Sequence, residues 1–193
     1  EPQTETVWRQ ANKFDVPRMI FVNKMDRPGA DFDRALVTVT ERFGDAVVPV
    51  CVPHEGAVLH LIERKAYEFG GEKGEEVTVR DLTDDEAELV QGARESALLV
   101  LADYDEALAD IVLMDEDPDA DTIWAALKKA TLAGQVRPAF GGSALKNWGV
   151  QPLLDAVLRI LPCPLEAPPA IGKHPETQEP VEVRMVKDEP FVG

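Results

Sequence analysis

Apolar positions along the chain alternate between helical and extended spacing. Val7, Trp8, Ala11 and Phe14 predict a helix over residues 4–14 that Pro17 ends. Met19-Ile20-Phe21-Val22 is a short continuous apolar run, as expected of a strand buried on both faces. Asp31 can cap a second helix through Ala35, Leu36, Val39 and Phe43, with Gly44 as its stop. Residues 47–52 are β-rich, and Pro49 among them points to an edge strand. Residues 57–69 are ambiguous and lean towards strand, then turn. Residues 70–74 form a glycine-rich turn, and 76–82 alternate like a pairing strand.

The second half is mainly helical. Leu89, Ala93, Ala97 and Leu101 mark one stripe of a long helix over 84–104, followed by a shorter helix over 106–114. Pro118 and Asp119 start another, with Ile123, Ala126, Leu127 and Ala130 as its buried stripe and Gly134 as its end. Residues 137–140 are a second candidate core strand. They run into Gly141-Gly142-Ser143-Ala144-Leu145-Lys146-Asn147. An apolar helix over 150–161 carries Leu153, Leu154, Val157, Leu158 and Leu161. Pro162, Pro164, Pro168 and Pro169 then crowd a linker that cannot be helical. Residues 181–186 alternate like a strand of a second domain that begins near Glu179. The first residues already read as a helix in progress and the last, 191–193, as a strand just starting, so both ends are expected to be cut.

Composition narrows the function classes. In 193 residues, 20 Lys and Arg face 36 Asp and Glu, a net charge of −16. So acidic a surface argues against general binding of nucleic acid or anionic membrane, yet permits a nucleotide in a small preorganised site. No apolar stretch approaches a membrane span. Cys51 and Cys163 form neither a disulfide framework nor a zinc pattern, which points to a reducing, cytoplasmic compartment. Fifteen acids lie between Asp81 and Asp121, with Arg94 the only base. Asp117, Asp119 and Asp121 alternate as in a calcium loop, but Thr122 and Lys128 stand where that loop needs Gly and Glu. Solvated helix faces, or a protein-docking surface, remain. His54, His60 and His174 are scattered and suit surface or turn roles. Trp8, Trp124 and Trp148 suit packing.

Asn23-Lys24-Met25-Asp26 carries the chemistry. It follows an apolar strand and matches the N-K-x-D pattern that reads guanine. Guanine presents N1–H and N2–H₂ side by side, and an ionised Asp26 can accept both in a charge-assisted pair. Adenine offers an acceptor at N1 and would lose both bonds, a discrimination of roughly 10⁴ or more. Asn23 can bond N7 and brace neighbouring loops, and the Lys24 stem can lie along the ring. A second loop should meet O6 with a backbone N–H. Ser143-Ala144-Leu145, between a strand and a helix, suits this: Ser143 can brace the loop, and Ala144 lets its backbone approach. The alternative is that Asn23 and Asp26 merely shape a turn before Asp31.

The stretches N-K-M-D-R-P-G-A-D-F (23–32) and G-S-A-L-K-N-W-G-V-Q-P-L-L-D-A-V-L-R-I-L (142–161) resemble elongation factor G, a family of translational GTPases. The opening E-P-Q-T-E-T-V-W-R-Q-A resembles the helix before the guanine motif in that family. The resemblance covers essentially the whole chain. It implies an α/β P-loop-NTPase-type GTPase domain, three-layered with a mostly parallel sheet. GTPase parts would occupy residues 1–46 and 137–162, an inserted α+β subdomain 47–136, and a Pro-rich linker with the start of a β-barrel 163–193. Asn23, Lys24 and Asp26 would be the first guanine motif and Ser143, Ala144 and Leu145 the second. GTP or GDP is the implied ligand, with magnesium held by residues outside this chain. The ribosome would be the partner, with its stalk protein on the inserted subdomain, the protein being monomeric. Departures are Trp148 for a common basic residue, Cys163 in the Leu-Pro-x-Pro turn, and a short segment over 54–67.

No G-x-x-x-x-G-K-[ST] phosphate loop occurs in the 193 residues, and neither does the Asp-x-x-Gly-His segment that positions the attacking water. The chain is therefore expected to carry base reading without catalysis. A sibling translational GTPase, or a non-catalytic interaction module, are the alternative readings.

Overall fold

The computed structural model describes residues 2–163, 165–166, 170–174 and 177–183. The chain divides into two compact units, Glu1–Leu161 and Pro162–Gly193. The first unit holds strands β1 (Ile20–Val22), β2 (Ala46–His54), β3 (Ala57–His60), β4 (Lys65–Gly70), β5 (Glu76–Asp81) and β6 (Val136–Gly141). Its helices are α1 (Pro2–Lys13), α2 (Phe32–Phe43), α3 (Asp84–Ala102), α4 (Glu106–Leu113), α5 (Ala120–Leu132) and α6 (Val150–Ile160).

All six strands join one sheet in the order β1-β6-β2-β3-β4-β5. Strand β6 pairs parallel with both β1 and β2, whereas β2–β3, β3–β4 and β4–β5 pair antiparallel. The sheet is mixed around a parallel core, not mostly parallel as expected. Connection length decides this. Helix α2 links β1 to β2, so those strands can run parallel, and β6, reached only after three helices, enters between them in the same direction. Glu55 and Gly56, both at positive φ, turn β2 straight back into β3.

Residues 47–52 are not an edge strand. Strand β2 lies between β6 and β3, and the edges are β1 and β5. Pro49 is tolerated inside the sheet because the register with β6 shifts between Pro49 and Cys51. A proline at such a bulge removes no regular ladder bond. The run at 19–22 also differs from expectation: β1 is a half-buried edge strand, while β6 beside it is buried along its whole length. The ambiguous region 57–69 resolves into two strands, β3 and β4.

Local signals set most helix ends. Asp31 accepts the Arg34 N–H at 2.9 Å to start α2, and Gly44 closes it at φ 71°. Thr83 and Glu86 form a reciprocal capping box on α3. Asp105 and Asp119 cap α4 and α5. The core packs Val48, Val50 and Phe140 of the sheet against Leu101, Leu127 and Ile160 of the helices. Helix α1 is fastened at its side: Trp8 stacks on Phe43 at 4.3 Å and donates to Asp45.

Two helix faces differ from the sequence reading. Helix α3 buries Val90, Arg94, Ala97, Leu98 and Leu101 and leaves Leu89 exposed. Arg94 can sit inside because its guanidinium donates to the carbonyls of Leu61 and Pro118 and to Asp117. Helix α6 buries Pro152, Ala156 and Ile160 and exposes Leu154 and Leu158. His60, expected at the surface, is buried, with its Nδ1 accepting the Glu63 N–H and its ring edge-on to Trp124.

The second unit contributes a hairpin of β7 (Ala170–Lys173) and β8 (Pro180–Val183). Strand β7 lies in what the sequence presents as linker. Pro164, Pro168, Pro169, positions 184–186 and the expected strand start at 191–193 lie outside the described residues.

Candidate functional site

Strands β1 and β6 are parallel neighbours with Val22 opposite Gly141. The loops that follow them therefore leave the same end of the sheet, side by side. This is the carboxyl-end position where open α/β sheets hold ligands. Backbone bonds carry the pairing past the strands: Gly142 N–H to Val22 O at 3.1 Å, then Met25 N–H to Gly142 O at 3.0 Å.

Side chains lock the two loops together. Asn23 Oδ1 accepts the N–H of Lys24 at 2.7 Å and of Ala144 at 2.9 Å. Lys24 is turned outward at φ 67°. The Ser143 hydroxyl hydrogen-bonds the Asp26 carboxylate and is the main cause holding that carboxyl below its usual range, with Lys146 and Arg27 adding smaller effects. Ser143 is fully buried, whereas Asn23, Lys24, Ala144, Leu145 and Lys146 are exposed and Asp26 is half-buried. All six residues singled out in the sequence thus gather at one end of the sheet. Leu145 stands at the loop tip, 86% exposed. The Ala144 N–H, expected to face a ligand, is satisfied here by Asn23.

The second loop is a closed miniature hairpin. Ser143 and Trp148 exchange backbone bonds at 3.0 and 2.9 Å. The Lys146 ammonium lies 4.9 Å from the centre of the Trp148 ring. Gly142 has to be glycine, because a Cβ there would lie 2.2 Å from the Trp148 carbonyl oxygen. The sequence reading missed Asn147, whose side-chain amide donates to Gly74 O at 3.1 Å. Its only local signal is an Asn two positions before a Gly, since the partner lies 73 residues away. A cavity of about 370 Å³ adjoins the loops, walled by Met25, Asp31, Phe32, His54, Gly142 and Trp148 among others. Asn23, Asp26 and Ala144 are not in its walls.

An ionised, accessible carboxylate at this position can accept two adjacent donors. Among the described residues no group of three or more His, Cys, Asp or Glu could hold a metal ion. Several acids of the acidic stretch have structural partners instead: Glu86 with Arg80, Asp117 with Arg64 and Arg94, Asp105 with Lys129. No helix among the described residues is long and apolar enough to cross a membrane.

The arrangement is that of a GTP-binding domain of the translational type. Residues 1–163 match the model of the elongation factor Tu GTP-binding domain, and the chain belongs to that family. It is 41% identical over its whole length to an elongation factor G of Fervidobacterium nodosum, covering 28% of that protein. It is 45% identical to elongation factor G 2 of Desulfotalea psychrophila, again over all of this chain and 29% of the relative. The chain thus spans less than a third of the length of these relatives. A crystal structure of a protein from Thermus thermophilus superposes with a TM-score of 0.72 at 28% identity, covering 86% of this chain and 26% of that one. The chain is a translational GTPase domain related to elongation factor G.

Proposed function

We propose that this chain is the guanine-reading part of an elongation factor G that promotes ribosomal translocation. Asp26 accepts N1–H and N2–H₂ of guanine, Lys24 lies along the ring, and Asn23 holds the two loops in register. The tip at Ala144 and Leu145 meets O6 through the Leu145 backbone N–H, because that of Ala144 is held by Asn23. Within this reading residues 1–46 and 137–162 are GTPase-domain parts, 47–136 an inserted subdomain, and 163–193 a linker with the start of a β-barrel. The acidic inserted part docks the ribosomal stalk protein, and the protein works as a cytoplasmic monomer. Phosphate and magnesium contacts come from residues that this sequence does not contain.

The observation that supports the reading is the bond from the Ala144 N–H to Asn23 Oδ1, which ties the loop carrying Asp26 to the Ser143–Leu145 loop. It is tested by Asp26→Asn in the protein expressed from its whole reading frame. Xanthine carries a carbonyl at position 2, which an amide donor suits and a carboxylate repels. The variant should prefer xanthine to guanine nucleotides. Retained guanine preference would defeat the reading. The opposing assignment, a sibling translational GTPase for release-factor recycling, ribosome recycling or ribosome protection, shares the base site. A translocation assay on ribosomes separates the two.

A further inference from the structure

We propose that the turn between β4 and β5 is a latch that positions the second guanine loop, with Gly74 and Asn147 as its two halves. This inference rests on the guanine reading of the site. The turn belongs to strands remote from the loop in the sheet: β4 and β5 are separated from β6 by β2 and β3. At about 4.8 Å per strand, that is some 14–19 Å across the sheet. The turn nevertheless reaches back over the sheet end and docks on the loop.

The fit leaves no slack. Gly74 is buried at φ +66°, and a Cβ there would lie 2.1 Å from the Lys146 carbonyl oxygen and 3.3 Å from Asn147 Cβ. Asn147 is itself at φ 58° and aims its amide at Gly74 O. Both residues hold left-handed backbone conformations, which L side chains adopt rarely and Asn more readily than most. The Ser143–Trp148 bridge closes the loop at its base, and Asn23 holds Ala144 on one flank. The latch holds the opposite flank, at Lys146 and Asn147. Between these fixings the exposed tip Ala144–Leu145 is aimed rather than free. Gly74 and Asn147 are positioning residues, because they touch the loop and not the base.

The test uses Gly74→Ala and Asn147→Gly in the protein from the whole reading frame. The first forces a Cβ into the Lys146 carbonyl. The second keeps the positive φ available and removes the side chain that carries the amide. Binding is measured for GDP, IDP and 6-thio-GDP. IDP lacks the 2-amino group, so the GDP-to-IDP ratio reports Asp26. In 6-thio-GDP a weakly accepting sulfur replaces O6, so its ratio to GDP reports the loop.

Both variants should bind GDP roughly tenfold more weakly, the scale of one misdirected hydrogen bond. The GDP-to-IDP ratio should stay at the parent value while the GDP-to-6-thio-GDP ratio falls towards one. A loss shared equally by all three nucleotides, or no loss, overturns the latch. If Gly74→Ala lost its folding transition, Asn147→Gly alone would decide. Failure of the underlying reading looks different: the parent protein itself would show no preference for GDP over IDP.

Discussion

Asn23 Oδ1 accepts the backbone N–H of Ala144 across 2.9 Å, tying together residues 121 positions apart. The same oxygen takes the Lys24 N–H, so one side chain fixes its own turn and its neighbour's. Asn23→Ala leaves both donors to water. At an exposed site the expected cost is about 1 kcal/mol. The sharper readout is local: hydrogen exchange at the Ala144 amide should quicken while exchange in β6 stays slow. Unchanged exchange at Ala144 would show that the bond does not hold the loop.

Ser143→Ala should raise the Asp26 pKa towards its ordinary value. The folded-state pKa is depressed, chiefly by the Ser143 hydroxyl, so the carboxylate is kept ionised to lower pH than a free Asp. Titration of the Asp26 side-chain carboxyl by NMR checks this. A titration that the substitution leaves in place would mean that Lys146 and Arg27, not the hydroxyl, set the charge. Threonine in place of Ser143 keeps a hydroxyl and tests whether the buried position tolerates one more methyl.

How far the sequence discloses the molecule depends on whether each signal is local. Helix caps are local, and Asp31, Gly44 and Asp119 stand where the pattern puts them. The six candidate residues come together because both of their loops directly follow neighbouring parallel strands, a placement that the strand–loop pattern already implies. Facing is a tertiary property. In α6 the residues 152, 156 and 160 and the leucines 154 and 158 are both apolar at helical spacing, so the pattern alone cannot say which side is covered. In α3 a buried arginine rotates the apparent stripe from Leu89 to Val90, and its acceptors come from distant segments. Pro49 signals an edge only if the strand is regular, and the bulge beside it removes the objection. The Gly74–Asn147 docking leaves almost no local trace, because the two residues lie 73 positions apart.

Acid should weaken the first unit through His60 before most carboxylates titrate. Burial lowers its pKa from about 6.5 to about 3, because the charged form would lose its hydration inside the sheet. Between those values the unfolded chain binds a proton that the folded chain refuses. Stability is therefore full above about pH 6.5 and is lost progressively as pH falls towards 3, by several kcal/mol in all. His60→Asn keeps an acceptor for the Glu63 N–H and removes the titration. Urea unfolding at a series of pH values should slope steeply in this window for the parent and weakly for the variant. Equal slopes would place the acid sensitivity elsewhere.

Leu127 is fully buried where α5 meets the core, among Val48, Phe140 and Ile160. Leu127→Ala should cost about 2–5 kcal/mol, since the rigid sheet on one side limits how far the cavity can collapse. Leu158→Ala, on the exposed side of α6, should cost well under 1 kcal/mol in the same denaturant titration. Comparable losses at the two positions would mean that the outer face of α6 is covered in solution.

The 193 residues taken alone should bind GDP only weakly. The diphosphate carries most of the ligand's charge, and the loop that cradles it is missing from this sequence. What is left is a carboxylate, an amide-lined tip and one lysine stem, all at an open end of the sheet. Association also costs on the order of 4 kcal/mol or more in lost motion, which a few solvent-exposed bonds barely offset. A dissociation constant of about 1 mM or weaker follows. Calorimetry at tens of micromolar protein should then register no saturable heat with GDP. Guanosine should bind about as well as GDP, because the base makes the contacts. Micromolar binding of GDP, with guanosine far weaker, would locate a phosphate site within these residues and undo the separation of base reading from phosphate binding.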